Sequence, residues 1–558
     1  MWTPRFSVVA VVVFSLSCGG RPPPPSTLSS TWVAPAILGH VPADSPYLVT
    51  TLEPVSEKVR QRILLGLDRR ITELLGLART MQDVDRTSLS PWIRAGLAVA
   101  DELRGKDAMN WWRELGLSAS HRFVLYGLSA WPVLRLEVAD PARLRTVIGR
   151  VLSAADVRPD QGTRDGHAYW LAGSAEFTLI AAVLEHEAVV AVVPTRAISA
   201  ALPFVLGTQH PAQSLGTTGT VAELFSRHHF MGFMLAYLDA RNAVDIVAAQ
   251  KPSELDAPLH ALTGPISPAC RADLDRLVAV APRVVFGYRR FDETGFEGAA
   301  ILETSPSVMA ALRKLPSRVP GVLAPPADSP LFALGAAVNS DELVALLGSV
   351  ANQLRDHPFA CSWLAKLNEA AGQLAANLAV PLPSMLHGVR GGALVVDQVT
   401  PLPLSIAGHL LVASDHMADM TSWLSGRLPV FAGIPIPRDG RPVEIPTQKL
   451  GIPLGSAHLA MTADRLVIAS GADSAQRATD RLAAPAPQHS PLFLIAFDVP
   501  RLVKLMESFG QSGIPSLGYL GNIGMSLDVA DDGLGVQVWG TWHDMAMPVR
   551  PSAPPSSP

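Results

Sequence analysis

Val41-Pro42-Ala43-Asp44-Ser45-Pro46-Tyr47-Leu48 returns later in the chain as Pro325-Pro326-Ala327-Asp328-Ser329-Pro330-Leu331-Phe332, and each copy leads into a short apolar strand and an amphipathic helix. The echo continues in order. Leu134 to Leu152 parallels Leu410 to Leu428, each reading as a strand, an Asp able to cap, and a helix with apolar residues three and four apart. Phe177 to Leu206 parallels His458 to Leu482, where two apolar strands around a polar turn feed another helix. Phe230 to Val247 parallels Leu492 to Met506, with Asp239 and Asp498 at the strand-to-helix joint. Each half closes on a hairpin, through Asp292-Glu293-Thr294-Gly295 in one and Asp531-Asp532-Gly533 in the other, residues that accept positive φ at little cost.

The pattern predicts a tandem duplication of an α+β unit, residues 40–304 and 325–543, joined by a linker at 305–324. Hairpins outnumber the helices that could cross between parallel strands, so each sheet is expected to be mostly antiparallel with helices packed on one face. Whether two sheets merge is not legible. Residues 53–81 add a helix with Val59, Ile63, Leu67, Ile71 and Leu74 on one stripe, and 362–378 take the matching place; both stripes read as core.

The Pro-Ala-Asp-Ser-Pro openings resemble those of an uncharacterised bacterial family of exported and membrane-anchored proteins, whose repeats begin with a similar phrase. The resemblance implies architecture and location and carries no activity.

Ahead of the repeats, Arg5 precedes an apolar run from Phe6 to Leu16 that stops at Ser17, Cys18, Gly19 and Gly20. The run is shorter than the roughly 20 residues a membrane span needs and has the layout of a secretory signal over 1–17. Ser15-Leu16-Ser17-Cys18 resembles a lipobox, although Ser15 stands where that motif usually has Leu. The resemblance implies lipidation of Cys18, and Gly19 rather than Asp after it implies sorting to the outer membrane of a Gram-negative bacterium, on its periplasmic face. Residues 18–39 then read as a lipidated Cys and a Pro-rich tether, and 544–558 as a disordered tail.

Composition narrows the function further. Hydrophobic residues make up 48% of the 558 and charged ones 17%, which describes ample core under a thinly charged surface. With a net charge of −4 and no basic cluster, nucleic acid is discarded as a partner. Once Cys18 is acylated, Cys270 and Cys361 remain, and in an oxidising compartment they read as a disulfide.

Chemistry is hard to find. Gly127-Leu128-Ser129-Ala130-Trp131 lacks the second glycine of a nucleophile elbow. Glu185-His186-Glu187 reads as a solvated hairpin turn. His228-His229 reads as strand neighbours pointing to opposite faces, unable to share a metal. The glycine-rich stretches 518–524 and 388–392 each precede a strand rather than a helix, which argues against a phosphate cradle. Trp111-Trp112 reads as one core ring and one rim ring on a helix. No catalytic, cofactor or metal residue is therefore assigned. The reading is a non-catalytic envelope lipoprotein, tied to the membrane by its anchor and acting as a scaffold or interaction module for an envelope protein partner. The alternatives are a carrier of a lipid or other hydrophobic ligand between the repeats, and a hydrolase with a noncontiguous site.

Overall fold

The computed structural model describes residues 32–64, 76, 91–104, 106–118, 122–319, 330–381, 383–402, 404–427, 431, 434–447, 455–485, 487, 490–511 and 520–543. The signal, Cys18, the second Pro-Ala-Asp-Ser phrase, the tail, and Leu67, Ile71 and Leu74 lie outside these residues.

The chain is a mixed α/β protein with one large open antiparallel sheet. Its strands are β1 (Tyr47–Thr51), β2 (Phe123–Leu128), β3 (Trp131–Glu137), β4 (Asp160–Arg164), β5 (His167–Gly173), β6 (Phe177–Val183), β7 (Glu187–Pro194), β8 (Met234–Asp239), β9 (Arg283–Phe291) and β10 (Gly295–Glu303). Then follow β11 (Phe332–Ala336), β12 (Val389–Pro401), β13 (Leu404–Ser414), β14 (Val443–Ile445), β15 (Ala457–Met461), β16 (Arg465–Ser470), β17 (Phe493–Asp498), β18 (Leu520–Val529) and β19 (Gly533–Trp542).

Pairing follows a single path. It runs β4-β5-β6-β7-β3-β2-β1-β8-β9-β10 and crosses to β19-β18-β17-β11-β12-β13-β16-β15-β14, antiparallel at every step. The crossing is the β10–β19 ladder, which runs from Gly295 opposite Thr541 to Glu303 opposite Gly533 with Ala299 facing Gln537 at its centre. Thus the two sheets left open by the sequence are one.

Both predicted closing hairpins form, β9–β10 and β18–β19. Local signals act where the sequence places them: Asp140 caps the helix Pro141–Ala154 by accepting from the Arg143 amide, Asp239 caps Ala240–Val247, and Asp498 caps Val499–Ser508. The helix Ile198–Leu206 stops at Gly207, whose φ of 74° is left-handed and suits glycine.

Helices do not keep to one face. In the first half Ile180, Ala182, Val189 and Ala191 pack with Ala201, Leu202 and Val205 of the helix Ile198–Leu206. Their chain neighbours Val183 and Ala188 point the other way, against Leu144 and Ile148 of the helix Pro141–Ala154. The second half does the same, with Ala478 and Leu482 of Ser474–Ala483 over Val467 and Ala469, and Met417 and Met420 over Leu459 and Leu466. The one-face expectation fails because these strands are apolar on both sides, so each side recruits cover.

Two segments differ from expectation. Residues 305–319 hold the helix Pro306–Leu312, and Met309, Leu312 and Leu315 are buried with Leu492, so this stretch is packed. The helix Ala365–Leu378 buries only Ala371, because its mate is the helix Ser340–Asp356 rather than the sheet.

The disulfide is present: Cys270 and Cys361 are bonded, with α-carbons 4.2 Å apart. Beside it the Asp273 carboxylate accepts from the Ala360 and Cys361 amides, fixing the helix Pro268–Val280 to the loop before Ala365–Leu378.

Candidate functional site

Directly opposed residues on neighbouring strands face the same side of a sheet, so register lists the occupants of each face. One row of opposed residues crosses from Met461 on β15 through Leu466, Val412, Gly392, Ala336, Phe493, Leu527 and Val536 to the seam. It continues through Ala300, Phe286, Ala236, Val49, Leu125, Leu134, Val190 and Ala181 to Trp170 on β5. Every member is apolar, and only Gln161 on the edge strand β4 ends the run. At the usual strand spacing this row spans about 75 Å.

The next row on the same side is equally uncharged, from Val443 through Leu459, Ile468, Leu410, Leu394, Leu334, Ile495, Met525 and Val538 to Gly298 and Tyr288. Helices cover parts of this face, Pro141–Ala154 and Met417–Arg427 toward the two ends and residues 57–64 and Val499–Ser508 along one margin. Between them Leu134, Leu238, Val284, Leu302, Leu394, Leu410 and Met525 keep 36% to 53% of their surface exposed. Leu238, Val284 and Leu302 are opposed on adjacent strands, and so are Leu394 and Leu410, so the exposed apolar positions fall in patches along the face.

The opposite face carries the polar groups. A row there reads Glu444, His458, Ala469, His409, Val395, Ala333, Ala496, Gly524, Trp539, Glu297 and Arg290. His409 is 3% exposed and neither ring nitrogen has a hydrogen-bond partner; burial, then the charges of Arg481 and Arg477, lowers its pKa to about 4. An open pocket of about 280 Å³ near the β12–β13 turn is lined by polar and small apolar residues, among them Thr400, Ser405, Ile406, Ala407 and Ser456.

Arg135, fully buried on β3, is held by four acceptors. It donates to Glu187 Oε2 at 3.0 Å, to the Phe204 and Val205 carbonyls at 2.7 and 3.0 Å, and to the Tyr126 hydroxyl at 3.4 Å. Its charge thereby meets the last carbonyls of the helix Ile198–Leu206. Burial pushes the Glu187 carboxyl up, but the hydrogen bond with His40 and the positive Arg135 outweigh it and hold the pKa at about 2. The sequence places Glu187 in a solvated turn; Glu185 and His186 are indeed exposed, whereas Glu187 turns inward to this cation.

At the seam a second cluster forms. His228 Nε2 lies 2.9 Å from Glu303 Oε1, and His228 Nδ1 lies 3.7 Å from Asp532 Oδ1. Burial raises the Glu303 pKa, yet the His228 hydrogen bond and the charges of Arg283 and Arg227 hold it below the usual carboxylate range. His228 and His229 are not strand neighbours: the helix Thr220–Arg227 ends at His228, and His229 turns the chain at a φ of 55°. No sequence signal links His228 to Glu303 and Asp532, which lie 75 or more residues away and meet only through the β10–β19 ladder.

The remaining candidates give no reactive centre. Ser129 has a φ of 55° but sits in the β2–β3 turn, bonded to Asp256. Ser474 Oγ is 2.9 Å from His458 Nδ1, but Ser474 is fully buried and, among the described residues, no carboxylate is hydrogen-bonded to that imidazole. Trp112 donates to the Ser118 carbonyl and Trp111 packs beside Leu64, Leu103 and Ala108. Residues 389–392 are not a connection before a strand but the first residues of β12, paired through Gly391 and Gly392; 520–524 likewise open β18, and 518–519 lie outside the described residues. Among the described residues no helix is long and apolar enough to cross a membrane.

Compared with known proteins, the chain matches no family model, no curated protein and no solved structure.

Proposed function

We propose that this protein is an exported, non-catalytic lipoprotein, anchored through Cys18, that holds an acyl-chain lipid or similar apolar molecule on the uncharged face of its sheet. The uncharged row carries the reading. A protein partner usually presents a polar rim and about one hydrogen bond per 100 to 200 Å², whereas this face offers neither charge nor amide over the two rows traced. Hydrocarbon needs neither.

The same reading takes residues 40–304 and 325–543 as copies of one unit. Stepping outward from Ala299 and Gln537, opposed partners run in parallel: Gly287 with Ser526, Leu235 with Leu494, Thr50 with Gly335, Val124 with Ala393, Arg135 with Leu411, Val189 with Val467 and Ala182 with Ala460. In this alignment the capping residues Asp239 and Asp498 coincide, and so do the starts of the helices Pro141–Ala154 and Met417–Arg427. The apolar face is then a property of the repeated unit, doubled by the seam.

A second reading, a scaffold for an envelope protein partner, is favoured by the rigidity that the seam ladder and the Cys270–Cys361 bond give the molecule.

Native mass spectrometry of the Cys18→Ser chain, which lacks the covalent lipid, separates the two. The carrier reading expects a co-purifying acyl lipid that is lost from Leu134→Glu/Leu410→Glu; ligand-free spectra, or lipid retained by the folded double variant, overturn it. The anchor is tested by fractionation, since Cys18→Ser should leave the membrane fraction.

A further inference from the structure

We infer that His228, Glu303 and Asp532 form a binding site for one divalent transition-metal ion such as Zn²⁺, set across the seam of the sheet. The inference is independent of what the apolar face holds.

Each ligand is placed by a different element. Glu303 is the last residue of β10, opposite Gly533, and Asp532 immediately precedes Gly533 in the β18–β19 turn. The Thr304 amide donates to the Asp532 carbonyl at 3.0 Å, which pins the turn of the second half against the strand end of the first. His228 arrives from the C-terminus of the helix Thr220–Arg227. One donor atom from each of the three lies within 4.8 Å of the others.

The donor chemistry is one imidazole nitrogen and two carboxylates, a set that suits Zn²⁺ and its neighbours rather than Ca²⁺ or Mg²⁺, which favour oxygen alone. Nε2 and Glu303 Oε1 are 2.9 Å apart, a hydrogen-bond separation, and Asp532 Oδ1 approaches the other ring nitrogen at 3.7 Å, so an ion shared by all three takes the place of that hydrogen bond after the imidazole turns one nitrogen toward both carboxylates. Burial adds a second argument: His228 and Glu303 are 3% and 7% exposed, and Asp532 Oδ2 is buried with no hydrogen-bond partner. A buried carboxylate oxygen without a donor is costly, and a cation removes that cost.

The competing occupant is already in view. Arg227 Nη1 stands 3.4 Å from Glu303 Oε1, so a guanidinium partly neutralises the same carboxylate. Arg227 is 44% exposed and also bonded to Glu223, so it can leave toward that partner when a metal enters. With three protein ligands, the coordination shell of the ion would be completed by solvent.

The test is metal uptake by the tag-free Cys18→Ser chain after chelator treatment, read by elemental analysis and by the visible bands of cobalt(II) in place of zinc. The expected result is one ion per chain, with cobalt bands of a low-coordinate nitrogen and oxygen site. Asp532→Asn, whose side chain is one-third exposed and whose shape is kept, should weaken uptake by about tenfold or more and shift the cobalt spectrum. Glu303→Gln should do the same if it folds, as judged by circular dichroism. Sub-stoichiometric uptake by the parent chain overturns the site, and so does uptake with unchanged affinity and spectrum in folded Asp532→Asn.

Discussion

Glu187→Gln provides a quantitative test of the buried Arg135 network. The carboxyl titrates at about 2 in the folded protein against 4.5 for the ordinary group, so the native state binds fewer protons than the unfolded one between those values. Stability from this source is complete above pH 4.5 and is lost as pH falls toward 2. A gap of about 2.5 pH units corresponds to about 3 kcal/mol. The side chain is 20% exposed, so little of this is lost to solvent screening. Gln keeps the shape and one acceptor for Arg135 but cannot titrate. Denaturant melts followed by tryptophan fluorescence should therefore put the variant about 3 kcal/mol below the parent at pH 6, with the gap closing toward zero near pH 2. A gap that stays constant over that range would show that the carboxylate charge does not stabilise the fold, and would refute the network's assigned role.

His409→Leu removes a buried imidazole with two unpartnered nitrogens. Because its pKa falls from 6.5 to about 4 on folding, the parent should lose about 3 kcal/mol between pH 6.5 and 4 that the variant retains; parallel melts would remove the assignment. Converting Cys270 and Cys361 together to Ser opens a loop of 91 residues and should cost about 4.6 kcal/mol in the chain-entropy account, measured by the same melts; a change under about 1 kcal/mol would mean that packing around Asp273 holds the junction unaided. Met525→Glu, on the exposed apolar face, should leave the melting midpoint within a few degrees of the parent while abolishing lipid retention; a collapsed fold would instead place Met525 in a core.

The sequence reported its local structure well and its long-range structure poorly. Capping aspartates, closing hairpins and the strands β3, β6, β7 and β8 were legible because turn chemistry and period-two patterning act over a few residues, whereas β2, β4, β5 and β14 went unread. The β10–β19 ladder was not, since an edge that pairs with a strand of the same half and one that pairs across the molecule have the same pattern. Arg135 lay unnoticed in Leu134-Arg135-Leu136, where a charge on an alternating strand reads as solvent-facing. Only the three-dimensional meeting with Glu187 and a helix terminus makes that charge internal. The apolar face was hidden for a related reason. Strands such as β6, β7 and β16 are apolar on both sides, and which side goes uncovered depends on where helices from elsewhere settle.

The seam also sets a schedule for folding. β10 is complete when the first half is in place, but its partner β19 is the last described strand, roughly 230 residues later in the chain. Until β19 docks, alternate residues between Gly295 and Glu303 present open amides and carbonyls beside exposed Leu302. A premature partner at that edge, including β10 of another chain, would be matched in length and apolar on one side. Severing the chain between the halves would make this transient exposure permanent, so each half produced alone should recruit a mate or precipitate. Among the described residues the finished sheet has β4, with Asp160 and Arg164 along it, and the three residues of β14 at its margins, and neither invites another strand.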